Sequence, residues 1–231
     1  MFCKLFVFAN HPLLVDLRLQ KYDFSNEIPK NEYSFLPLRF IFCDFLCFMR
    51  FLVYLCKLKI AIMIQVKIKD AVLRKSAEEG MDAFVRVFVQ AIREAIGGEL
   101  TVETMPLLNS DQITLLAWDI LHEEMMDGGM IQLIHNGYGP FMFKNPTDKA
   151  FRNWGMRGLY KLINKSHALY RLAKDEIEQP EMTDEEFMEL YEKHPEFDDM
   201  DDEFIENEEQ WTSEIACYID DHLENFAQIE E

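Results

Sequence analysis

From about residue 70 onward, apolar side chains recur every three or four positions, and this spacing most constrains the fold. Phe84, Phe88 and Ile92 mark one such segment. Side chains three and four apart share one face of an α-helix, whereas a half-buried strand needs strict alternation. The pattern therefore predicts an amphipathic helix, and the Gly97-Gly98 pair is expected to end it.

The same spacing predicts further helices, at residues 113–125, 147–172, 187–191 and 204–226. Asn109 with Gln112 three positions later, and Thr183 with Glu186, form capping-box patterns that mark helix starts. Two glycines, at positions 155 and 158, weaken the continuity of the long segment that begins at residue 147. No long alternating segment indicates a sheet, and a short strand at residues 66–69 is a possibility that we do not favour.

Residues 1–62 differ in kind from the rest of the chain. They hold ten of the nineteen phenylalanines and no glycine. Charged residues cut their apolar runs far below the roughly 20 residues that a membrane span needs, so no span is predicted. We interpret this Phe-rich segment as a translated upstream or disordered leader outside the core, with Met63 as the natural start. Residues 63–231 are then expected to form a single compact, all-α, multi-helix domain without internal repeats.

The charge of the chain is concentrated at its C-terminal end. Of the net −19, residues 175–231 carry −23, from one lysine and twenty-four acidic residues. Nine of these acids lie within fourteen residues: Glu196, Asp198, Asp199, Asp201, Asp202, Glu203, Glu206, Glu208 and Glu209. Such a segment repels nucleic acid and anionic membranes and attracts basic partners. Five cysteines in no recognisable pattern favour a reducing compartment, the cytoplasm.

Residues that could carry catalysis or bind metal do not form a known site. No register of the acidic run places oxygen ligands and a glycine where an EF-hand loop needs them. His122 begins an HExxH-like stretch, but Met126 replaces the second histidine, and no companion exists for the Asp119–His122 spacing. Cys217 lies among acids and is interpreted as a buried structural thiol. We therefore predict no catalytic residue, metal or cofactor, and a binding protein rather than an enzyme.

The stretch "DGGMIQLIHNGYG" at residues 127–139 lacks the order of a phosphate-binding loop. It predicts a glycine-terminated helix, a short second helix over 130–135 and a turn at Asn136-Gly137. It resembles the pattern NGGF-x-Q-x-x-x-N-x-x-G of the bacterial DNA-mimic protein family, a small helical domain formerly of unknown function. Asp127 and Met130 stand where that family usually has Asn and Phe. The signature residues of the resemblance are Gly128, Gly129, Gln132, Asn136 and Gly139.

A second block, "FDDMDDEF" at residues 197–204, resembles the acidic segment that precedes the last helix in the same family. The resemblance implies a cytoplasmic, helical, often dimeric protein that mimics duplex DNA towards a basic DNA-binding protein. The nine acids listed above would then imitate phosphates. The sixteen residues 195–210 would span about 24 Å as a helix, and if all nine acids faced a partner they would provide one charge per roughly 2.7 Å, whereas duplex DNA has one per about 1.7 Å.

Three functions remain open from the sequence. The chain could occupy the DNA-binding surface of a basic partner such as a transcriptional regulator. It could inhibit a basic nuclease toxin as an immunity protein, which would use the same electrostatics. An enzyme or metal-binding helical protein is the third class, and the motifs support it least. A merely solvated acidic surface is the alternative to all three.

Overall fold

The structure, a computed structural model, describes residues 63–231. The predictions for residues 1–62 lie outside this range. The elements are β1 (Lys67–Lys69), α1 (Asp70–Glu79), α2 (Met81–Ile96), α3 (Ser110–Asp127), α4 (Gly129–His135), α5 (Gly139–Lys144), α6 (Thr147–Asn153), α7 (Arg157–Ile177), α8 (Asp184–Lys193), α9 (Asp198–Asp221), α10 (Leu223–Phe226) and β2 (Gln228–Glu230). Short 3₁₀ turns precede α3 and α9. The predicted all-α, multi-helix architecture is confirmed for the described residues.

The capping signals read from the sequence lie at helix starts. The Asn109 side chain accepts the Gln112 N–H at 2.8 Å, and the Gln112 side chain accepts the Asn109 N–H at 3.1 Å. Thr183 and Glu186 form the same reciprocal pair at the start of α8. Gly97 ends α2 in the left-handed conformation, with φ of +84°. Each of these ends satisfies backbone groups that a helix cannot pair internally.

Two features differ from the expected helices. The segment from residue 147 is two helices, α6 and α7, because Gly155 takes a φ of +90° between them. The strand that we did not favour is present. β1 and β2 pair in parallel, with Ile68 opposite Ile229. Val66 and Ile68 are buried while Lys67 is exposed, so this short stretch has the alternation of a half-buried strand.

Helix α9 packs against α2, α3 and α7 and so lies at the centre of the fold. Its apolar stripe is fully buried at Phe204, Ile215 and Ile219. Trp211 is buried against α7, where its indole Nε1 lies close to the Gly158 backbone. Because α9 is fixed along its length, the acidic residues in its first half hold defined positions. None of the helices in residues 63–231 is both long and apolar enough to cross a membrane.

Candidate partner-binding surface

The acidic run folds as a helix because apolar residues at helical spacing fix one side of it. Phe197 and Phe204 have no exposed surface, and Met200 is 6% exposed. Pro195 begins the 3₁₀ turn that leads into α9. Acidic side chains in a first helical turn interact favourably with the positive end of the helix dipole. The apolar side thus faces the core, and three of the acids between these residues, Asp198, Asp199 and Asp202, point outward.

Five of the nine predicted acids form an exposed set, which we call the acidic face: Asp198, Asp199, Asp202, Glu206 and Glu209. Within residues 63–231, none of the five makes a side-chain hydrogen bond or ion pair. The last four follow one another at intervals of three, four and three residues, so they form a stripe opposite Phe204. From first to last, the five span about 16 Å, or one charge per roughly 4 Å. A single DNA strand has one phosphate per about 3.4 Å of axis.

The other four predicted acids contact groups of their own chain. The contacts are Glu196 to His194 at 3.3 Å, Glu203 to Lys165 at 2.9 Å, Glu208 to His122 at 2.7 Å, and Asp201 to the Met130 backbone N–H at 2.9 Å. Glu208 also accepts a hydrogen bond from the Thr212 hydroxyl at 3.0 Å. Glu203, Glu208 and Asp201 are half-buried. These three fasten α9 to α7, α3 and α4, so they differ in environment from the acidic face.

Asp201 occupies the least usual environment of the nine. Its carboxylate lies against the corner between α3 and α4, where it accepts the Met130 N–H. Burial is the main cause that raises its pKa to about 6; the Met130 hydrogen bond opposes this shift, and the neighbouring charges of Asp198 and Asp202 add to it. Gly129 permits the close approach, since a Cβ at this position would lie 2.3 Å from Asp201 Oδ2. Gly129 also has a φ of +76°, which favours glycine.

Three of the four remaining signature residues build the same corner. A Cβ on Gly128 would lie 2.1 Å from Gln132 Oε1, so the first glycine gives room for the glutamine side chain. Gln132 donates to Asp127 at 2.7 Å, and Asn136 donates to Glu124 at 2.8 Å. Further along, a Cβ on residue 139, a glycine, would lie 2.6 Å from the ring of Tyr170 on α7. Gln132 and Asn136 thus tie the corner back to α3 rather than bonding to each other.

The two blocks of the family resemblance therefore meet in space. The Asp201–Met130 bond joins residues 71 positions apart. Local spacing contains no signal for such a contact, and sequence reasoning treated all nine acids as equivalent. The structure separates them through partners on α3, α4 and α7.

Three residues were considered for catalysis or metal binding: Asp119, His122 and Cys217. The structure places them in other environments. His122 bonds to Glu208, and Asp119 pairs with Arg93 at 2.6 Å. Among residues 63–231, no group of three or more His, Cys, Asp or Glu side chains has the arrangement of a metal site. The prediction of a buried Cys217 is wrong, because this thiol is exposed. Cys217 lies eighteen residues after Asp199, which is five full helical turns, and so shares its outward direction.

Comparison with known proteins bears on both blocks. A family profile described as DMP19-like protein matches residues 106–226, more than half of the chain. The chain is 33% identical over 127 residues to the "DNA mimic protein DMP19" of Neisseria meningitidis serogroup B (strain ATCC BAA-335 / MC58). That alignment covers 55% of this chain and 77% of the relative.

The chain belongs to the DMP19-like protein family.

The region matched by the DMP19-like profile contains the glycine corner, Asp201 and the whole acidic face. The predicted family resemblance is therefore confirmed, and it covers most of the described helices. The name of the Neisseria relative describes that protein as a DNA mimic.

Proposed function

We propose that this protein is a DNA mimic that occupies the DNA-binding surface of a basic protein, such as a transcriptional regulator. One observation carries the proposal. Five carboxylates without partners among the described residues are fixed on α9 at roughly the spacing of phosphates along one DNA strand. The Neisseria relative that is named as a DNA mimic supports it.

Rigidity separates a mimic from an acidic tail. A disordered segment of the same composition would attract basic proteins but could not hold its charges in a pattern. Here Phe197, Met200 and Phe204 are buried between the outward acids, and Asp201 and Glu208 tie the helix to α4 and α3. A partner with a rigid basic groove would meet charges that are already ordered. Such an interface loses less conformational entropy on binding.

The charge of the surrounding segment adds long-range attraction. Residues 175–231 contain a single basic residue, Lys193, which lies close to Glu176 and Glu189. The field over this part of the molecule should accelerate encounter with a basic partner and repel nucleic acid. We propose that the protein acts in the cytoplasm and has no catalytic activity. We also propose that it can form a homodimer, which analytical sedimentation would detect.

Inhibition of a basic nuclease toxin remains the second candidate function, because the same acidic face could bind such a toxin.

The partner can be identified by displacement with DNA. The full chain is immobilised and exposed at low salt to a lysate of the source cell, and bound proteins are eluted with duplex DNA. We expect a basic DNA-binding protein in the eluate. A nuclease toxin there would favour the inhibitor function. If no protein is released by DNA, the mimic proposal is wrong.

Two variants with the same net charge test the surface itself. The acidic-face variant carries Asp199→Asn, Asp202→Asn, Glu206→Gln and Glu209→Gln. The control carries Glu78→Gln, Glu79→Gln, Asp82→Asn and Glu103→Gln, all exposed positions outside α9. Each set removes four of the negative charges, which changes the net charge from −19 to −15.

We expect the affinity of the acidic-face variant for the eluted partner to fall by at least about tenfold at low salt, with a weaker salt dependence. The control should bind like wild type. Isothermal titration at several salt concentrations measures both. Equal loss in the two variants would show that net charge alone drives binding, and no loss in either would exclude the acidic face as the binding surface.

A further inference from the structure

Two large apolar side chains are exposed at the edge of the acidic face. Met126 on α3 is 52% exposed, and Ile205 on α9 is 58% exposed. We call them the apolar pair. Exposed apolar residues scattered singly are normal, so their significance depends on where they lie.

Two cross-helix contacts fix the position of the apolar pair. His122 bonds to Glu208 at 2.7 Å, and the Met130 N–H bonds to Asp201 at 2.9 Å. Met126 lies midway between His122 and Met130, and Ile205 lies between Asp201 and Glu208 along α9. His122 lies on α3, and Met130 lies just after α3 ends, so the end of α3 lies beside the start of α9. Met126 is four residues after His122, and Ile205 is four residues after Asp201, so each shares a helix face with a residue of these contacts. Met126 and Ile205 therefore lie at about the same level where α3 and α9 meet, and both are exposed.

Carboxylates surround the apolar pair. On α9, Asp202 and Glu209 lie three and four residues from Ile205, which places them as its neighbours on the helix surface. On α3, Glu123 lies three residues before Met126 and Asp127 directly follows it; both are exposed, and Glu123 also lies 3.8 Å from the Arg93 guanidinium. The arrangement is an apolar centre with a charged rim, which is the organisation of protein–protein interfaces. Phosphate mimicry by itself gives no reason for an apolar centre.

We propose that the apolar pair receives a large apolar side chain from a basic protein segment, in which lysine or arginine residues flank that side chain. Charge decides between the occupants. The carboxylate rim repels a second copy of this face and an anionic membrane, whereas it attracts a segment with flanking cations. The inference rests on the proposed function and specifies the chemistry of the partner: its contact region combines cations with one apolar side chain.

Two synthetic basic peptides test the inference. They have identical lysine and arginine positions and differ at one central residue, phenylalanine in one and serine in the other. Wild-type full-length protein should bind the phenylalanine peptide about tenfold more tightly, because burial of an aromatic side chain supplies that difference. Both peptides should lose affinity as salt rises.

The matched variants change only exposed apolar residues. One carries Met126→Gln with Ile205→Gln, and the control carries Val102→Gln with Leu172→Gln, which are 82% and 85% exposed. We expect the first variant to lose the preference for phenylalanine while it keeps wild-type affinity for the serine peptide. The control should keep the preference. Circular dichroism checks that both variants remain folded.

Different results overturn different claims. Equal binding of the two peptides by wild type, or a preference that survives Met126→Gln/Ile205→Gln, would refute the apolar contact and leave the mimic function intact. Failure of both peptides to bind at low salt would also refute the inference. If the acidic-face variant bound both peptides like wild type, the proposed function would fail instead.

Discussion

Asp201 provides a direct test of how the acidic helix is held, through the substitution Asp201→Asn. The asparagine keeps an oxygen that can accept the Met130 N–H and removes the charge. In the folded protein, burial raises the pKa of Asp201 from 3.8 to about 6. The folded state therefore binds this proton more tightly than the unfolded state does. The Asp201 charge costs no stability below about pH 4, and its cost grows as the pH rises towards 6 and is complete above that.

The size of the effect follows from the shift. Two pKa units correspond to about 3 kcal/mol. Because the side chain is only half-buried, water screens part of this cost, and we expect about 1–2 kcal/mol. Asp201→Asn should therefore raise the free energy of unfolding by about 1–2 kcal/mol at pH 7 and leave it nearly unchanged at pH 4.

Urea unfolding followed by circular dichroism at pH 4, 5, 6 and 7 measures the difference between variant and wild type. Subtraction removes the titration of the other carboxylates, which both proteins share. Asp202→Asn, one residue away and exposed, is the control, and its effect should stay within about 0.5 kcal/mol at every pH. If Asp201→Asn destabilises the protein at pH 7, the strength of the charged hydrogen bond to Met130 outweighs the cost of burial, and the reasoning is wrong.

Three further outcomes are expected. Gly129→Ala should lower the free energy of unfolding by about 2–4 kcal/mol, because the backbone φ is +76° and the new Cβ would clash with Asp201. The control Gly137→Ala has a similar φ of +85° but open space around the new Cβ, and it should cost about 1 kcal/mol. Trp211→Ala should lower the free energy of unfolding by about 3–5 kcal/mol, since the ring is 3% exposed; a negligible change would contradict its place in the core. A chain of residues 63–231 alone should keep helical circular dichroism and thermal stability, and an unfolded product would show that residues 1–62 are needed for the fold.

Local signals account for the parts of the fold that were predicted. The Asn109 and Thr183 caps, and the glycines that end α2 and α3, act on backbone groups within a few residues of themselves. Their physics is contained in a short window of sequence. These particular helix starts and ends could therefore be predicted without knowledge of the tertiary structure.

Contacts between distant residues account for what was not predicted. The β1–β2 pairing joins Ile68 to Ile229, and no pattern in either short segment specifies that partner. The split between α6 and α7 depends on whether Gly155 adopts a positive φ, which glycine permits but does not require. Distant residues also decide which acids of α9 bond within the protein and which remain exposed. Asp201, Glu203 and Glu208 have partners on α4, α7 and α3, and the acidic face does not.

That division explains how a helix with so much charge remains folded. The acidic face has four like-charge pairs three or four residues apart, and each such pair destabilises a helix by about 0.2–0.5 kcal/mol. The four pairs together cost about 1–2 kcal/mol. Burial of a single phenylalanine such as Phe204 contributes about 1.5–3 kcal/mol. Burial therefore outweighs repulsion on this helix, and salt that screens the acidic face can weaken binding to a basic partner without unfolding the protein that presents it.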